Sequence, residues 1–136
     1  MKILLVYSTE GNIEDYAKSL KKGIESNGHT VVMQSVNNGG SVVSCHGYDI
    51  LIIGSPIKGV FGGKIASDIR PFLETLKRIE GKDSIAFADR KLFGTDKAIR
   101  NLMEMMESQG CIVKDFQGFR STQDAYKFGI KIKSFS

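Results

Sequence analysis

Residues 2–8 read KILLVYS, a near-continuous apolar run, and residues 9–13 (TEGNI) lead directly from it into a segment with helical spacing. An apolar run without alternation is typical of a strand that is buried on both faces of a parallel sheet. Apolar residues then recur at helical spacing behind a predicted cap at Asn12, namely Ile13, Tyr16, Ala17, Leu20 and Ile24. The pattern predicts a central strand followed by an amphipathic helix.

The alternation continues along the rest of the chain. Further strands are predicted at residues 29–35, 49–54, 83–88 and 111–119. Helices are predicted around residues 65–76, from a cap at Thr95 to Gly110, and at residues 122–133, whereas the glycine-rich residues 37–47 leave little room for another. These elements predict a three-layer, doubly wound α/β fold with a five-stranded parallel sheet. We expect residues 1–136 to form a single domain.

The composition excludes several classes of protein. Of the 136 residues, 41% are hydrophobic and 25% charged, with 2 prolines and 2 cysteines, which argues against a disordered chain and a disulfide scaffold. The apolar run at the amino terminus is too short for a signal-peptide core or a membrane span. We therefore expect a reduced, cytoplasmic protein without a membrane span.

The net charge of +4 arises in the second half of the chain. Residues 1–68 carry six basic and six acidic residues, and residues 69–136 carry thirteen and nine. The cations are scattered and are not interleaved with aromatic residues, so we expect no nucleic-acid binding. His29 and His46 lack a metal-ligand spacing with the cysteines, apart from the adjacent pair Cys45 and His46, so we expect no metal.

Three loops follow the carboxyl ends of predicted strands, where doubly wound sheets bind their ligands. They are residues 8–13, 55–63 and 89–94. In the first loop, backbone N–H groups and the side chains of Ser8, Thr9 and Asn12 form a predicted phosphate cradle, and Gly11 allows a close turn. The alternative is that these residues only end a strand and cap a helix. The chain has no G-x-G-x-x-G after its first strand, which argues against a dinucleotide site.

Residues 7–14 (YSTEGNIE) resemble the phosphate loop of flavodoxins and flavodoxin-like flavoproteins, and residues 52–57 (IIGSPI) resemble their second loop. The likeness covers essentially the whole chain, including residues 68–73 (DIRPFL) and the closing helix with Ala125, Phe128 and Gly129. The resemblance implies the flavodoxin strand order 2-1-3-4-5, with FMN bound where that order reverses.

The resemblance also implies a set of FMN-binding residues, with the phosphate at the first loop and the isoalloxazine ring between the other two. Glu10 and Ile13 stand where hydroxyl residues are usual in short-chain flavodoxins, and we expect Glu10 to contribute only its N–H. The chain has no Trp, so Phe61 and Phe93 are the aromatic residues expected to line the ring. The set comprises Ser8, Thr9, Glu10, Gly11, Asn12, Ile13, Pro56, Ile57, Lys58, Gly59, Phe61, Asp89, Arg90, Phe93 and Gly94.

The function implied is that of an electron-transfer flavoprotein that shuttles electrons between redox partner proteins, without a catalytic acid or base of its own. Lys58, Arg90 and Lys91 lie in the ring-binding loops. We therefore expect a reduced flavin that is less reducing than in acidic flavodoxins, and partners with acidic surfaces. We expect a monomer or weak dimer.

Two alternatives stay open. The first is an enzyme that resembles flavodoxin-like quinone reductases or menaquinone-dependent protoporphyrinogen oxidases. The second is a flavodoxin-fold module that binds no flavin, which the acidic Glu10 in the phosphate loop and the lack of Trp would favour.

Overall fold

A computed structural model describes residues 1–59, 61 and 63–135 of the chain. The elements are, in order, β1 (Lys2–Tyr7), α1 (Ile13–Glu25), β2 (Thr30–Ser35), β3 (Ile50–Ser55), β4 (Ile57–Lys58), β5 (Lys64–Ile65), α2 (Ile69–Thr75), β6 (Asp83–Asp89), α3 (Thr95–Ser108), β7 (Ile112–Phe119) and α4 (Thr122–Lys131). Each long strand thus leads toward a helix, except that irregular chain alone connects β2 to β3 in the described structure.

The five long strands form one parallel sheet in the order β2-β1-β3-β6-β7, and β4 and β5 form a separate antiparallel pair. Counted among the long strands alone, this is the order 2-1-3-4-5, which confirms the predicted topology. The chain moves to one side of β1 to form β2 and to the other side to form β3. The order therefore reverses at β1, beside the loop that leads into α1.

Alternation along β1 distributes its side chains between two cores. Ile3 and Leu5 belong to the core that includes residues of α1 and α4. Leu4 and Val6 belong to the core that includes residues of α2 and α3. Because successive side chains of a strand point to opposite faces, helices on both sides of the sheet account for the unbroken apolar run. The predicted three-layer architecture is confirmed.

The region between β3 and α2 differs from the prediction. The helix predicted from Ile65 begins only at Ile69, because Ile65 pairs with Ile57 in the β4–β5 hairpin. Residues 55–63 were predicted as a loop, but Ser55 ends β3 and residues 57–58 form β4, while Val60 and Gly62 lie outside the described residues.

The start of α3 also differs from the prediction, since Thr95 is its first residue and Gly94 precedes it with φ of 81°. The Thr95 hydroxyl accepts the N–H of Lys91 at 2.9 Å and donates to the Lys91 carbonyl at 3.1 Å. The side chain therefore closes the preceding loop and does not cap the helix.

Helices α1 and α4 pack closely through two glycines. A Cβ atom on Gly23 would collide with the carbonyl oxygen of Tyr126, and one on Gly129 would lie 2.5 Å from the carbonyl oxygen of Leu20. Only glycine leaves room for such an approach, so these positions fix how near the two helices lie. Among the helices of the described residues, none is long and apolar enough to cross a membrane.

Candidate functional site

The carboxyl ends of β1, β3 and β6 lie side by side. Tyr7 of β1 pairs with Gly54 of β3, and Gly54 pairs with Phe87 of β6. A Cβ atom on Gly54 would overlap the Phe87 ring, which explains the glycine at this position. Because the three strands end at adjacent positions, the three loops predicted to form the site emerge at one edge of the sheet.

The first loop offers several unpaired hydrogen-bond donors. Within the described residues, no acceptor is found for the backbone N–H groups of Thr9, Gly11 and Asn12. The Asn12 side chain makes no capping hydrogen bond, and Gly11 turns the chain with φ of 64°. Free N–H groups at the start of a helix favour an anion. The buried Ile13 side chain faces the core, so only its backbone is available to a ligand.

The Ser8 side chain forms a hydrogen bond with Asp68, a residue outside the predicted site. Its buried hydroxyl donates to both carboxylate oxygens of Asp68, at 3.3 Å each, and accepts the N–H of Glu10 at 3.2 Å. The hydroxyl proton of Ser8 is therefore bonded within the protein and is not free for a phosphate. The same holds for the N–H that Glu10 is expected to contribute. Asp68 lies 60 residues from Ser8 along the chain, so no local sequence pattern linked them.

The Asp68 carboxyl has a pKa above its usual value. Burial is the largest cause, and the negative charge of Glu10 adds to it, whereas the hydrogen bond from Ser8 acts in the opposite direction. A carboxylate beside the first loop opposes the approach of another anion when it is ionised. Asp68 is therefore a residue of the candidate site that the sequence did not predict, and its protonation would alter the charge beside the first loop.

The second loop contains one side chain that reaches the first. The Lys58 ammonium lies 2.6 Å from the Glu10 carboxylate. Pro56 and Ile57 are buried, whereas Gly59 is exposed and Phe61 is 81% exposed. Single apolar side chains are often exposed on protein surfaces. Because Phe61 lies in a loop that is predicted to bind a ligand, its exposed ring is available for contact with that ligand or with a partner.

The third loop is held by its acidic residue. The Asp89 side chain is buried, accepts the N–H of Ile57 at 3.2 Å and forms an ion pair with Lys91 at 2.9 Å. The hydrogen bond between Lys91 and Asp89, together with the negative charge of Asp89, raises the pKa of Lys91. Beyond them, Phe93 is 65% exposed and Gly94 turns the chain with positive φ. Asp89 thus joins the second and third loops, and Phe93 is left free for contacts.

The cations predicted to surround a bound ring are mostly compensated. Lys58 is paired with Glu10, and Lys91 is paired with Asp89. Arg90 lies elsewhere, with its Nε and Nη2 atoms 3.4 Å from where a Cβ on Gly118 would be. The expectation of a less reducing flavin rested on an excess of positive charge near the ring. The two ion pairs neutralise two of the three cations that formed this excess.

These features match the two parts of FMN. Free N–H groups suit the phosphate, and exposed aromatic residues on the second and third loops suit an isoalloxazine ring. The structure therefore places the backbone donors of the first loop and the loops that carry Phe61 and Phe93 at the same edge of the sheet. The Ser8 hydroxyl is bonded to Asp68, the Ile13 side chain lies in the core, and the Arg90 guanidinium lies beside Gly118.

Comparison with known proteins connects this geometry to a family. No family model matches the chain. A flavodoxin from Clostridium beijerinckii is 30% identical, over 97% of this chain and 98% of that protein. An archaeal flavodoxin structure superposes with a TM-score of 0.74 at 24% identity, over 96% of this chain and 94% of the other.

A flavodoxin structure from Megasphaera elsdenii gives a TM-score of 0.73 at 17% identity, over 97% of this chain and all 100% of the other. These two structural likenesses concern the fold, and the clostridial sequence likeness spans both chains almost completely. The chain belongs to the flavodoxin family, whose members bind FMN and transfer electrons.

Proposed function

We propose that the chain binds FMN at the three loops described above and carries electrons between partner proteins. The phosphate is held by the N–H groups of Thr9, Gly11 and Asn12. The ring lies between the loops that carry Phe61 and Phe93. The observation that supports this most is the exposure of those two aromatic residues at the sheet edge that also presents the free donors.

Bound FMN would supply the reversible redox chemistry. The residues of this chain bind and orient it. Free N–H groups fix the phosphate end, while Phe61 and Phe93 shield the apolar ring from water. The Glu10–Lys58 and Asp89–Lys91 pairs keep the surrounding loops close to neutral. No side chain is assigned a proton-transfer step, which suits an electron carrier.

A titration of the protein with FMN and with riboflavin tests this proposal. Binding quenches flavin fluorescence when an aromatic side chain stacks on the ring. We expect FMN to bind more tightly than riboflavin, which has the same ring and no phosphate. Equal affinity for the two ligands would contradict the role of the first loop, and failure to bind either would contradict the proposal.

The two alternatives give different results in the same preparation. Oxidation of NAD(P)H with a quinone acceptor by the FMN-loaded protein would favour the enzyme. A protein that takes up no FMN would favour the flavin-free module. Glu10 no longer supports the latter, because its carboxylate is paired with Lys58 and does not stand alone beside the phosphate loop.

We further propose that residues 1–136 form one domain, that the protein is cytoplasmic, and that it is a monomer or weak dimer. The basic pI of about 9.1 supports partners with acidic surfaces. Sedimentation of the FMN-loaded protein over a range of concentrations tests the oligomeric state.

A further inference from the structure

A groove of about 580 Å³ lies between the carboxyl end of β7 and the helix α4. It is open to solvent and lies beside the third loop. Four cationic side chains and one carboxylate line it, namely Arg90, Arg120, Lys127, Lys131 and Asp124. Four of the thirteen basic residues in the second half of the chain therefore share one surface, which we call the basic groove.

The cations of the basic groove are not compensated by ion pairs. In the part of the chain that the structure describes, the ion pairs are Lys18–Glu14, Lys58–Glu10 and Lys91–Asp89, and none involves a residue of the groove. The carboxylate of Asp124 accepts the backbone N–H of Arg120 at 3.0 Å, and the backbone N–H of Asp124 donates to the Ser121 hydroxyl. Asp124 therefore stabilises the start of α4, and the groove keeps a net positive charge.

Arg90 connects the basic groove to the proposed flavin site. Its backbone N–H donates to the Phe119 carbonyl at 2.7 Å, and its guanidinium lies along β7 beside Gly118. The same loop continues into Leu92 and Phe93, which are 88% and 65% exposed. Two exposed apolar side chains thus lie in the same loop as Arg90, which lines the basic groove.

We propose that the basic groove, together with Leu92 and Phe93, is the docking surface for an acidic redox partner protein. This inference rests on the proposed electron-carrier function. Apolar anchors beside a charged rim are the usual anatomy of a transient interface, and complementary charge accelerates association. The partner places its acidic surface against the groove, with its redox centre toward the loop that carries Phe93.

The arrangement of the cations favours a protein over a small anion. Lys127 and Lys131 are one helical turn apart on α4, whereas Arg120 precedes that helix and Arg90 follows β6. All four residues are exposed, and they come from three places in the fold: the loop after β6, the turn before α4, and α4 itself. Charges spread along an open surface match an extended acidic face, because a small anion needs donors that converge on one point.

Stopped-flow electron transfer tests the proposal. The donor is a reduced acidic 2[4Fe–4S] ferredoxin, whose cluster is oxidised as it passes an electron to the FMN-loaded protein. The test variant is Arg120→Gln/Lys127→Gln. The matched control is Lys22→Gln/Lys77→Gln, which removes the same charge at exposed residues outside the groove. FMN affinity and reduction potential are measured for both variants to show that the flavin site is unchanged.

We expect the second-order rate of the test variant to fall about tenfold at low ionic strength, and that of the control to stay within about twofold of the parent. The difference should disappear at high ionic strength. Equal effects in the two variants would overturn the proposal, since net charge alone would then account for the rate.

Calorimetric binding of the same ferredoxin to the protein without added FMN separates this inference from the proposed function. Loss of binding in the test variant but not in the control supports the docking surface even if FMN binding fails. Equal binding by both variants overturns it. Displacement of the ferredoxin by millimolar inorganic phosphate in a buffer of constant ionic strength also overturns it, and would indicate a small-anion site.

Discussion

The ammonium of Lys58 lies 2.6 Å from the carboxylate of Glu10, so an ion pair joins the loop after β1 to the hairpin after β3. Both side chains are about half exposed, at 48% and 40%. A pair this open to water contributes about 1 kcal/mol or less to stability. Its main effect is on local charge, because it neutralises an acidic side chain beside the donors of the first loop.

Replacing Glu10 with Gln should tighten FMN binding about threefold to tenfold at low salt, because Lys58 is then free to attract the phosphate. Riboflavin affinity should not change. Fluorescence titration with the two ligands measures both. Glu25→Gln is the control, since it removes the same charge at the end of α1 that is far from the first loop. A weaker FMN complex in Glu10→Gln would show that the pair instead holds the loop in its binding conformation.

Gly11→Ala should destabilise the protein by about 1 kcal/mol and also weaken FMN binding. The cause is its φ of 64°, because a Cβ atom there would make only an ordinary contact, 3.4 Å from Cβ of Pro56. Gly28→Ala is a matched control with φ of 85° outside the site. Urea unfolding should show similar losses for both variants, and only Gly11→Ala should raise the Kd for FMN. Equal Kd values would contradict a role for the first-loop backbone.

Asp68→Asn should stabilise the protein slightly at neutral pH. The pKa of Asp68 is raised in the folded protein, so folding favours its protonated form. Its stabilising contribution is present below the pKa of the unfolded chain and is lost as the pH rises through the folded pKa. Urea unfolding at several pH values should therefore show the gain of the variant shrinking toward acid pH.

The same variant should bind FMN more tightly at neutral pH, because it removes a negative charge near the phosphate cradle while keeping an acceptor for Ser8. The difference in affinity between the parent and Asp68→Asn should also narrow as the pH falls. A constant difference at all pH values would indicate that the hydrogen bond to Ser8 matters more than the charge of Asp68.

Phe61→Ala and Phe93→Ala should each weaken FMN binding about threefold to tenfold with little change in stability. Both side chains are largely exposed, so their removal leaves the core intact. Phe116→Ala is the control, since Phe116 is 51% exposed on β7, outside the three loops. Fluorescence titration and thermal unfolding measure the two effects. Unchanged affinity in both site variants would place the ring elsewhere.

Gly129→Ala should destabilise the protein by about 2 kcal/mol, because its Cβ atom would meet the backbone of α1 at Leu20 and Ile24. Gly81→Ala is a suitable comparison, since a Cβ atom there meets nothing within 4 Å and only its positive φ is unfavourable. Urea unfolding at equal temperature compares them. A loss no greater than that of Gly81→Ala would mean that α1 and α4 separate at little cost.

The parts of the fold that depend on local periodicity could be predicted from the sequence. The unbroken apolar run of β1 predicted a strand between two layers, and the offsets from Ile13 predicted α1. The β4–β5 hairpin could not be predicted this way, because each strand has only two residues. Ile65 fits a helical stripe as well as a short strand, and only its pairing with Ile57 decides between them.

For the candidate site, the loops could be predicted from the sequence, but the side-chain contacts between them could not. The ends of the predicted strands, together with a family resemblance, predict a site at the first loop and at the loops that carry Phe61 and Phe93. The contact from Asp68 to Ser8 and the pair between Lys58 and Glu10 depend on side chains from distant segments. Such contacts arise from tertiary packing, and a single sequence contains no periodic pattern for them.

The close approach of α1 and α4 has a consequence for synthesis on the ribosome. The helix formed earliest in the chain is covered by the last, with Gly23 lying against residues 126 and 130. Until α4 has left the exit tunnel, Leu20 and Ile24 have no complete cover, and the layer that they form with β1 stays open to chaperones and proteases. Because contacts between such distant segments form slowly, we expect this layer to close only after α4 has emerged from the exit tunnel.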